Sequence, residues 1–347
     1  MLGLMVAGGI ALIAAAFLTP LLRRWLVSRS IGQYIREDGP SMHRSKEGTP
    51  TMGGIALLVA IFVGYIVAHL ATAVRMSASG MLVVGLAISF GLIGFVDDWL
   101  KVHNKRNLGL NKRAKLISQV VVASLFALGA EKLAHMNTFL TYTRFNSTGV
   151  DLGTIGWIVW VMLIVVGSSN AVNLTDGLDG LAAGSLTLVF AVLSIIGYWQ
   201  FRHFSIYRIS SSLDLSLASV AFAGACVGFL WWNAAPARIF MGDTGSLALG
   251  SGLAGIAVMM NLQLLLPVLG GLFVIVTLSV VAQVISYKLF HRRILKMAPL
   301  HHHFELSGWP ESTVIVRFWI MAGLFAALAL GLFYADYLSI TRLLSKT

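Results

Sequence analysis

The sequence predicts an all-α, polytopic membrane protein with ten transmembrane helices and both termini on the outer side of the membrane. Composition is the first observation: of the 347 residues, 57% are apolar and 11% are charged, and the mean hydropathy is +0.83. Soluble domains lie far from this balance. The second observation is that apolar runs of about 20 residues, enough to cross a hydrocarbon core of roughly 30 Å, recur along the whole chain. The third is the uneven distribution of positive charge between these runs.

The apolar runs define the predicted elements in chain order. We predict spans at residues 4–22, 52–74, 79–100, 116–134, 154–172, 178–199, 215–232, 247–262, 264–289 and 314–335. The first run has no basic residue before Arg23 and Arg24, whereas a cleaved signal peptide begins with positive charge, so we expect the first span to be retained. No soluble segment interrupts the series, and residues 1–347 are predicted to form one integral membrane domain.

The basic residues set the predicted orientation. If the N-terminus is outside, the segments after the first, third, fifth, seventh and ninth spans are cytoplasmic, and they carry 18 of the 25 lysines and arginines. Seven remain on the outer side. Cytoplasmic segments near membrane spans are enriched in Lys and Arg, so this bias predicts outer termini. It also accounts for the net charge of +11 without nucleic acid as a partner.

Two classes of site are excluded by residue type. Cys226 is the only cysteine and falls inside an apolar run, so neither a disulfide framework nor a cysteine metal site can form. The glycines and prolines near residue 50 predict a structured turn rather than a phosphate-binding P-loop, because no glycine-rich segment ends in Gly-Lys-Ser/Thr.

The informative polar residues lie in five segments of the predicted cytoplasmic face. These are residues 38–54, 96–115, 170–180, 233–246 and 291–309. Helix ends in a bundle can bring segments that are distant in sequence around one site. We therefore predict a cytoplasmic cleft that these segments line.

Asp97 and Asp98 end the third predicted span, where the helix macrodipole disfavours negative charge, so a cation is expected beside them. The chain that follows contains six basic residues suited to phosphate: Lys101, Lys105, Arg106, Lys112, Arg113 and Lys115. Neighbouring helical residues point about 100° apart, so the two carboxylates can have different roles. The alternative is a solvated helix end.

The junction of the fifth and sixth spans is rich in hydrogen-bonding groups. Asp176 and Asp179 are three residues apart and share one face if this segment is helical. Gly177 and Gly180 allow close backbone approach, and Asn173 adds an amide suited to a nucleoside or sugar. Helix capping is the alternative, but a cap needs one such residue rather than a run of them.

Asp243 lies between glycines at the start of the eighth span. It could be an N-cap, but other acids on the same face make it a candidate ligand for a hard cation, and oxygen ligands beside phosphates suit Mg²⁺. The other unusual run is His301, His302 and His303. Three consecutive imidazoles cannot all point one way, so zinc binding by the run is disfavoured and hydrogen bonding to phosphate is favoured.

Five motifs together resemble one family. They are SKEGTPTMGG at 45–54, VDD at 96–98, NLTDGLDG at 173–180, MGDTGS at 241–246 and APLHHH at 298–303. They match, in this order and over almost the whole chain, the phospho-N-acetylmuramoyl-pentapeptide-transferase family, within the superfamily of polyprenyl-phosphate N-acetylhexosamine-1-phosphate transferases. No acid position departs from the pattern.

The resemblance implies a Mg²⁺-dependent enzyme of the bacterial plasma membrane, with its active site facing the cytoplasm. The implied reaction transfers phospho-N-acetylmuramoyl-pentapeptide from UDP to undecaprenyl phosphate, and it yields UMP and the first lipid-linked peptidoglycan precursor. A homodimer is also suggested. The implied catalytic residues are Asp97, Asp98, Asp243, Lys115, His301, His302 and His303. Asp243 is the implied metal ligand, with Asp97 or Asp98 as a second, and one of that pair is the implied base.

The implied donor pocket contains Lys46, Thr51, Asn173, Asp176, Asp179, Asn233, Phe240 and Gln283. Direct attack by the lipid phosphate is favoured, and a two-step route through a phospho-aspartyl enzyme stays open. Three other functions compete with this one. A sister enzyme could transfer N-acetylglucosamine phosphate, a transporter would place its carboxylates near the bilayer midplane, and a scaffold would leave the acids as caps.

Overall fold

The structure is a computed structural model that describes residues 1–29, 48–104, 109–145 and 147–344. It contains thirteen α-helices within these ranges, and the only β-structure described is a single bridge between Phe139 and Asp151. The first seven helices are α1 (Leu2–Ser28), α2 (Gly54–Thr72), α3 (Ala78–His103), α4 (Lys112–Lys132), α5 (Gly153–Thr175), α6 (Leu181–Arg202) and α7 (Phe204–Tyr207). The remaining six are α8 (Ser212–Asn233), α9 (Gly242–Met259), α10 (Leu266–Leu269), α11 (Gly271–Phe290), α12 (Leu300–Glu305) and α13 (Glu311–Leu344).

Nine of the described helices are long and apolar enough to cross a membrane: α1 to α6, α8, α11 and α13. The all-helical prediction is therefore confirmed. The predicted eighth span corresponds to α9, which is not among the nine. The predicted ninth span, residues 264–289, is divided into α10 and α11, which meet at Gly270. Most helices also run past their predicted ends, because backbone hydrogen bonding continues through polar residues that end an apolar run.

α9 lies at the centre of the bundle. It packs against α2, α3 and α5, and every residue from Thr244 to Met259 is buried. Five glycines and three alanines keep this helix narrow, as is common where membrane helices approach closely. α8 is nearly as buried and packs against α1 and α6. α1, α11 and α13 instead expose large apolar side chains, as helices that face lipid do.

Two glycine contacts position the start of α9. Gly94 of α3 lies against the backbone of Asp243, and Gly54 at the start of α2 lies against Gly245. A Cβ atom at either glycine would collide with backbone atoms, so only glycine permits these approaches. Gly53 and Gly54 also donate backbone hydrogen bonds to the carbonyls of Phe240 and Met241. The segment before α9 is thus held between α2 and α3.

A buried acid of α8 lies beside the N-terminal end of α3. Asp214, in the first turn of α8, is 3% exposed, and its Oδ1 lies 2.9 Å from Nε2 of His69. Its Oδ2 accepts hydrogen bonds from the backbone N–H of Ser77, at 2.7 Å, and from the Ser77 hydroxyl, at 2.5 Å. Ser77 is the N-cap of α3, and its hydroxyl oxygen accepts from the Gly80 N–H. Asp214 therefore joins three helix ends: the last turn of α2 and the first turns of α3 and α8.

Candidate active site

The last turns of α3 and the first turn of α9 form a cluster of three carboxylates. Asp97 and Asp98 come from α3, and Asp243 comes from α9. Each contributes an oxygen, and these oxygens all lie within 4.8 Å of one another. Asp97 and Asp98 are buried, at 3% and 2% exposed, and Asp243 is partly exposed. The predicted meeting of these acids is therefore present in the structure. We call Asp97, Asp98 and Asp243 the carboxylate cluster.

Asp98 caps α9 from the neighbouring helix. Its Oδ1 accepts from the backbone N–H of Asp243 at 3.1 Å. Its Oδ2 accepts from the N–H of Thr244 at 2.9 Å and from the Thr244 hydroxyl at 2.8 Å. No side chain of α9's own N-cap residue makes such a bond, so Asp98 satisfies donors that the first turn would otherwise leave unpaired. The positive end of the α9 dipole also compensates for placing an acid at the C-terminal end of α3.

Two lysines supply the cations that the sequence led us to expect. Nζ of Lys101 lies 2.6 Å from Asp97 Oδ2, 3.6 Å from Asp98 Oδ1 and 3.0 Å from Asp243 Oδ2. Nζ of Lys115, in the first turn of α4, lies 2.5 Å from Asp243 Oδ2 and 3.7 Å from Asp97 Oδ1. Lys115 was a predicted site residue. Lys101 was noted only as part of the basic run, although its position four residues after Asp97 places both on one helical face.

Asp97 and Asp243 make further contacts that differ from those of Asp98. Oδ1 of Asp97 accepts from the N–H of Leu110 at 3.0 Å, and Gly109 packs against the carboxyl group. Oδ1 of Asp243 accepts from the side-chain amide of Asn173 at 2.8 Å. Asn173 lies in the last turn of α5. Helices α3, α4, α5 and α9 thus each contribute a side chain to one site.

The segment after α5 is a loop, so the condition under which Asp176 and Asp179 would share a helical face is not met. α5 ends at Thr175 and α6 begins at Leu181, with Gly180 at φ +74° between them. The left-handed conformation that Gly180 adopts breaks the helix. Asp179 is buried, and its Oδ2 accepts from the Ala237 N–H at 2.8 Å, which ties this loop to the segment before α9.

Asp176 is the acid of this loop with the strongest electrostatic perturbation. Its pKa is raised to about 8, mainly by burial and also by the negative charges of Asp243, Asp98 and Asp179. The side chain keeps some solvent exposure at the edge of the site. A carboxyl group in this state holds a proton at neutral pH and releases it when positive charge arrives nearby.

The segment that leads into α9 contains two more predicted residues. Asn233 is buried at the end of α8 and donates to the Ile239 carbonyl at 2.9 Å, which folds the intervening residues into a loop. The Phe240 N–H donates to the Pro50 carbonyl at 2.8 Å. The neighbouring Thr51 is buried, and its hydroxyl lies beside Gly242. Thr51 and Phe240 are therefore near the start of α9.

The three histidines point in three directions, as predicted. His301 is fully buried in the short helix α12 and packs against Gly177, so this helix contacts the Asp176 loop. Nδ1 of His302 lies 2.7 Å from Glu305 Oε2. Nδ1 of His303 accepts from the Lys296 N–H at 3.1 Å. A small apolar core formed with α11 and α13 packs against α12.

Gln283, a predicted site residue, makes its hydrogen bonds to the loop after α11 rather than to the carboxylate cluster. The Gln283 amide oxygen accepts from the Ile294 and Leu295 N–H groups, at 3.1 and 2.9 Å, and its amide donates to the Leu295 carbonyl. These bonds organise the loop after α11. Lys46 lies outside the described residues. Sequence reasoning also missed Glu311, whose side chain accepts from the Asp179 N–H at 3.2 Å.

The donor set suits a hard divalent cation. Oxygen ligands from several carboxylates are what Mg²⁺ binds, and it usually keeps waters and substrate phosphates as its other ligands. Asp97 and Asp243 direct oxygens toward the ammonium groups of Lys101 and Lys115, which already mark a position where positive charge is stabilised. Asp98 is committed to α9. The residues therefore fit a divalent cation such as Mg²⁺, and Asp243 and Asp97 are the residues that would hold it.

Comparison with known proteins gives the class first. Residues 80–261 match the family described as glycosyl transferase family 4, and this range contains the whole carboxylate cluster, both lysines and the Asp176 loop. Residues 46–58 match the phospho-N-acetylmuramoyl-pentapeptide-transferase signature 1.

Full-length relatives then give the particular family. The chain is 47% identical to the phospho-N-acetylmuramoyl-pentapeptide-transferase of Saccharopolyspora erythraea, with 99% of each chain covered. It is 48% identical to that of Frankia alni, over 98% of this chain and 99% of the relative. It is also 48% identical to that of Rhodococcus jostii, over 96% and 97%. The chain belongs to the phospho-N-acetylmuramoyl-pentapeptide-transferase family.

Proposed function

We propose that this protein transfers phospho-N-acetylmuramoyl-pentapeptide from its UDP conjugate to undecaprenyl phosphate, giving lipid I and UMP in a Mg²⁺-dependent reaction. Family membership supports the donor group and the reaction class. The observation that carries the proposal is the meeting of three carboxylates and two lysines at the ends of α3, α4 and α9. Donor and acceptor both bring phosphate charge, so a site for their reaction needs cations and a means to hold a metal ion.

The chain's own residues would divide the chemistry as follows. An oxygen of the acceptor phosphate forms a bond to the phosphorus that carries the sugar, and the bond from that phosphorus to the UMP oxygen breaks. Asp97 would accept any proton that the acceptor phosphate still carries, through the oxygen that does not face Lys101, because both Asp98 oxygens accept bonds from α9. Lys115 would bind phosphate oxygens. Asp243 and the other oxygen of Asp97 would hold Mg²⁺, which would supply Lewis-acid stabilisation of the developing charge.

A two-step route, in which an aspartate first accepts the phospho-sugar, stays open. It predicts release of one UMP per active site when the acceptor is omitted, whereas direct transfer predicts none. The donor would lie over Asn173, Asp176, Asp179, Asn233, Phe240 and Thr51, with Gln283 further out. Lys46, which lies outside the described residues, is proposed as a further donor contact. Of the three histidines, the partly exposed His302 would contact its phosphates, while His301 and His303 would position α12. The contact of His301 with Gly177 supports this arrangement.

We further propose one ten-span domain in the bacterial plasma membrane, with outer termini and a cytoplasmic site. α9, the predicted eighth span, would bring the number of spans from nine to ten, because its 18 residues extend about 27 Å at 1.5 Å per residue. Its low apolarity suits a helix covered by protein rather than lipid. A homodimer is the expected assembly.

The proposed topology can be tested by labelling in a Cys226→Ser background. An impermeant maleimide added to intact cells should label Arg75→Cys and leave Lys288→Cys unlabelled. The reverse pattern would show that the topology is inverted.

The direct test measures UMP release by the purified protein in detergent with undecaprenyl phosphate and Mg²⁺. UDP-N-acetylmuramoyl-pentapeptide should release UMP, and UDP-N-acetylglucosamine should not. Asp243→Asn provides the matched inactive protein. Preference for UDP-N-acetylglucosamine would establish the sister activity instead, and absence of UMP with both donors would refute the proposed reaction.

A further inference from the structure

Lys101 occupies the space that a bound cation would need. Its ammonium is within 3.0 Å of both Asp97 and Asp243 and within 3.6 Å of Asp98. Lys115 contacts only Asp243 closely. An ammonium and a divalent ion repel each other, so both cannot lie among the same oxygens.

We propose that Lys101 is an exchangeable counter-ion, which a divalent metal displaces from the carboxylate cluster and which then binds a phosphate oxygen of the substrates. This inference rests on the proposed function. It gives Lys101 two successive partners: carboxylates in the metal-free protein and phosphate in the metal-loaded one. Metal binding would thereby prepare a cation for the donor or acceptor.

The balance of charge supports the exchange. Three carboxylates and two ammonium groups leave the cluster with a net charge of −1. Addition of a divalent ion while both lysines stay would make it positive, and replacement of one ammonium by that ion makes it neutral. A largely buried cluster favours the set of bound ions that brings its net charge closest to zero. One lysine is therefore expected to leave, and the geometry points to Lys101.

Position and exposure also favour Lys101 as the group that moves. One third of its side chain is exposed, compared with one fifth for Lys115. It lies in the last turn of α3, and its flexible four-carbon stem can reorient without a change in the helix. Asp98 cannot follow it, because both of its oxygens accept bonds from α9. The carboxylates therefore stay in place while the ammonium leaves.

Mn²⁺ binding, followed by electron paramagnetic resonance on the purified full chain, tests the competition. Lys101→Met should bind Mn²⁺ more tightly than the wild-type protein, on the order of tenfold, because the tethered competitor is gone. Lys288→Met, at an exposed position on α11, should bind it as the wild type does. Equal or weaker binding by Lys101→Met would overturn the exchange.

A second measurement uses the wild-type protein, so it holds even if the variant fails to fold. Acetylation of Lys101 by acetic anhydride, quantified by peptide mass spectrometry against Lys288, should accelerate severalfold when Mg²⁺ is added. An unchanged or slower rate would show that the metal does not release the ammonium.

The phosphate role is tested by turnover. Lys101→Met should lose UMP release by roughly tenfold or more at saturating Mg²⁺ despite its tighter metal binding. Full turnover would overturn this half of the inference. Failure of the proposed function is distinguishable, because it would appear as absence of UMP in the wild-type protein, whereas Mn²⁺ affinity and Lys101 acetylation are measured without substrates.

Discussion

α3 has a buried acidic group near each end, and the two groups are built differently. At one end, the Asp214 carboxylate contacts a nitrogen of His69 and accepts hydrogen bonds from the N–H and the hydroxyl of Ser77, and all three groups are fixed at helix ends. At the other end, Asp97 and Asp243 face lysine side chains that reach them from partly exposed positions. Fixed donors hold Asp214 in a structural role. Lysines that can move away instead leave the carboxylates available for a metal ion, and the lysines themselves available for phosphates. Asp98 resembles Asp214 in its bonding, although it adjoins Asp97.

Replacement of Asp243 should have the largest effect. Asp243→Asn removes the charge that both lysines and the proposed metal share, so UMP release should fall on the order of 10³-fold, equivalent to about 4 kcal/mol. The melting temperature should stay within a few degrees of the wild type, since the amide retains the shape. Substantial turnover in the folded variant would place the metal elsewhere.

Replacement of Asp214 should give the opposite result. Asp214→Asn replaces a buried carboxylate oxygen with an amide group and leaves the donors at His69 and Ser77 partly unsatisfied, which should lower the free energy of unfolding by about 3 kcal/mol. Thermal unfolding in detergent measures the loss. UMP release per folded molecule at 20 °C should equal that of the wild type. If activity falls while stability holds, the two ends of α3 are not separated as described.

Asp98→Asn should show intermediate behaviour. An asparagine has one carbonyl oxygen, so its amide would face the Asp243 N–H, and stability should fall by about 1–2 kcal/mol. The start of α9 would shift, and UMP release should decrease roughly tenfold rather than vanish. Circular dichroism melting and UMP release measured on the same preparation check both effects. Complete loss of activity with an unchanged melting temperature would make Asp98 a catalytic residue instead.

Asp176 should affect stability in a way that is seen only as a pH dependence. With its pKa at about 8 in the folded protein and about 3.9 in the unfolded chain, Asp176 holds a proton that the unfolded chain has lost between those values. Its contribution to stability is therefore full below about pH 4 and declines as pH rises toward 8. Asp176→Asn should remove this decline, so that between pH 5 and 8 in metal-free buffer its melting temperature falls by roughly 5 °C less. Identical slopes would contradict the assignment.

The sequence predicted most of the architecture because apolar length and charge bias are properties of single segments. It also predicted that Asp97, Asp243, Lys115 and Asn173 would meet, since helix ends on one face converge. The bonding of Asp98 could not be predicted, because it depends on the close approach of α3 and α9 at Gly94. The pairing of Asp214 with His69 joins residues 145 positions apart through tertiary packing alone. Lys101 was accessible to prediction through its helical spacing from Asp97.

The carboxylate cluster, with its exchangeable lysine, is expected to bind the metal ion that the transfer requires. UMP release from UDP-N-acetylmuramoyl-pentapeptide, measured after chelation and then titrated with Mg²⁺, tests it most directly. Wild-type and Asp214→Asn proteins should be inactive after chelation and recover saturably with Mg²⁺, while Asp243→Asn should not recover. Undiminished UMP release in chelator, or full recovery of Asp243→Asn at the same Mg²⁺ concentration, would contradict the account.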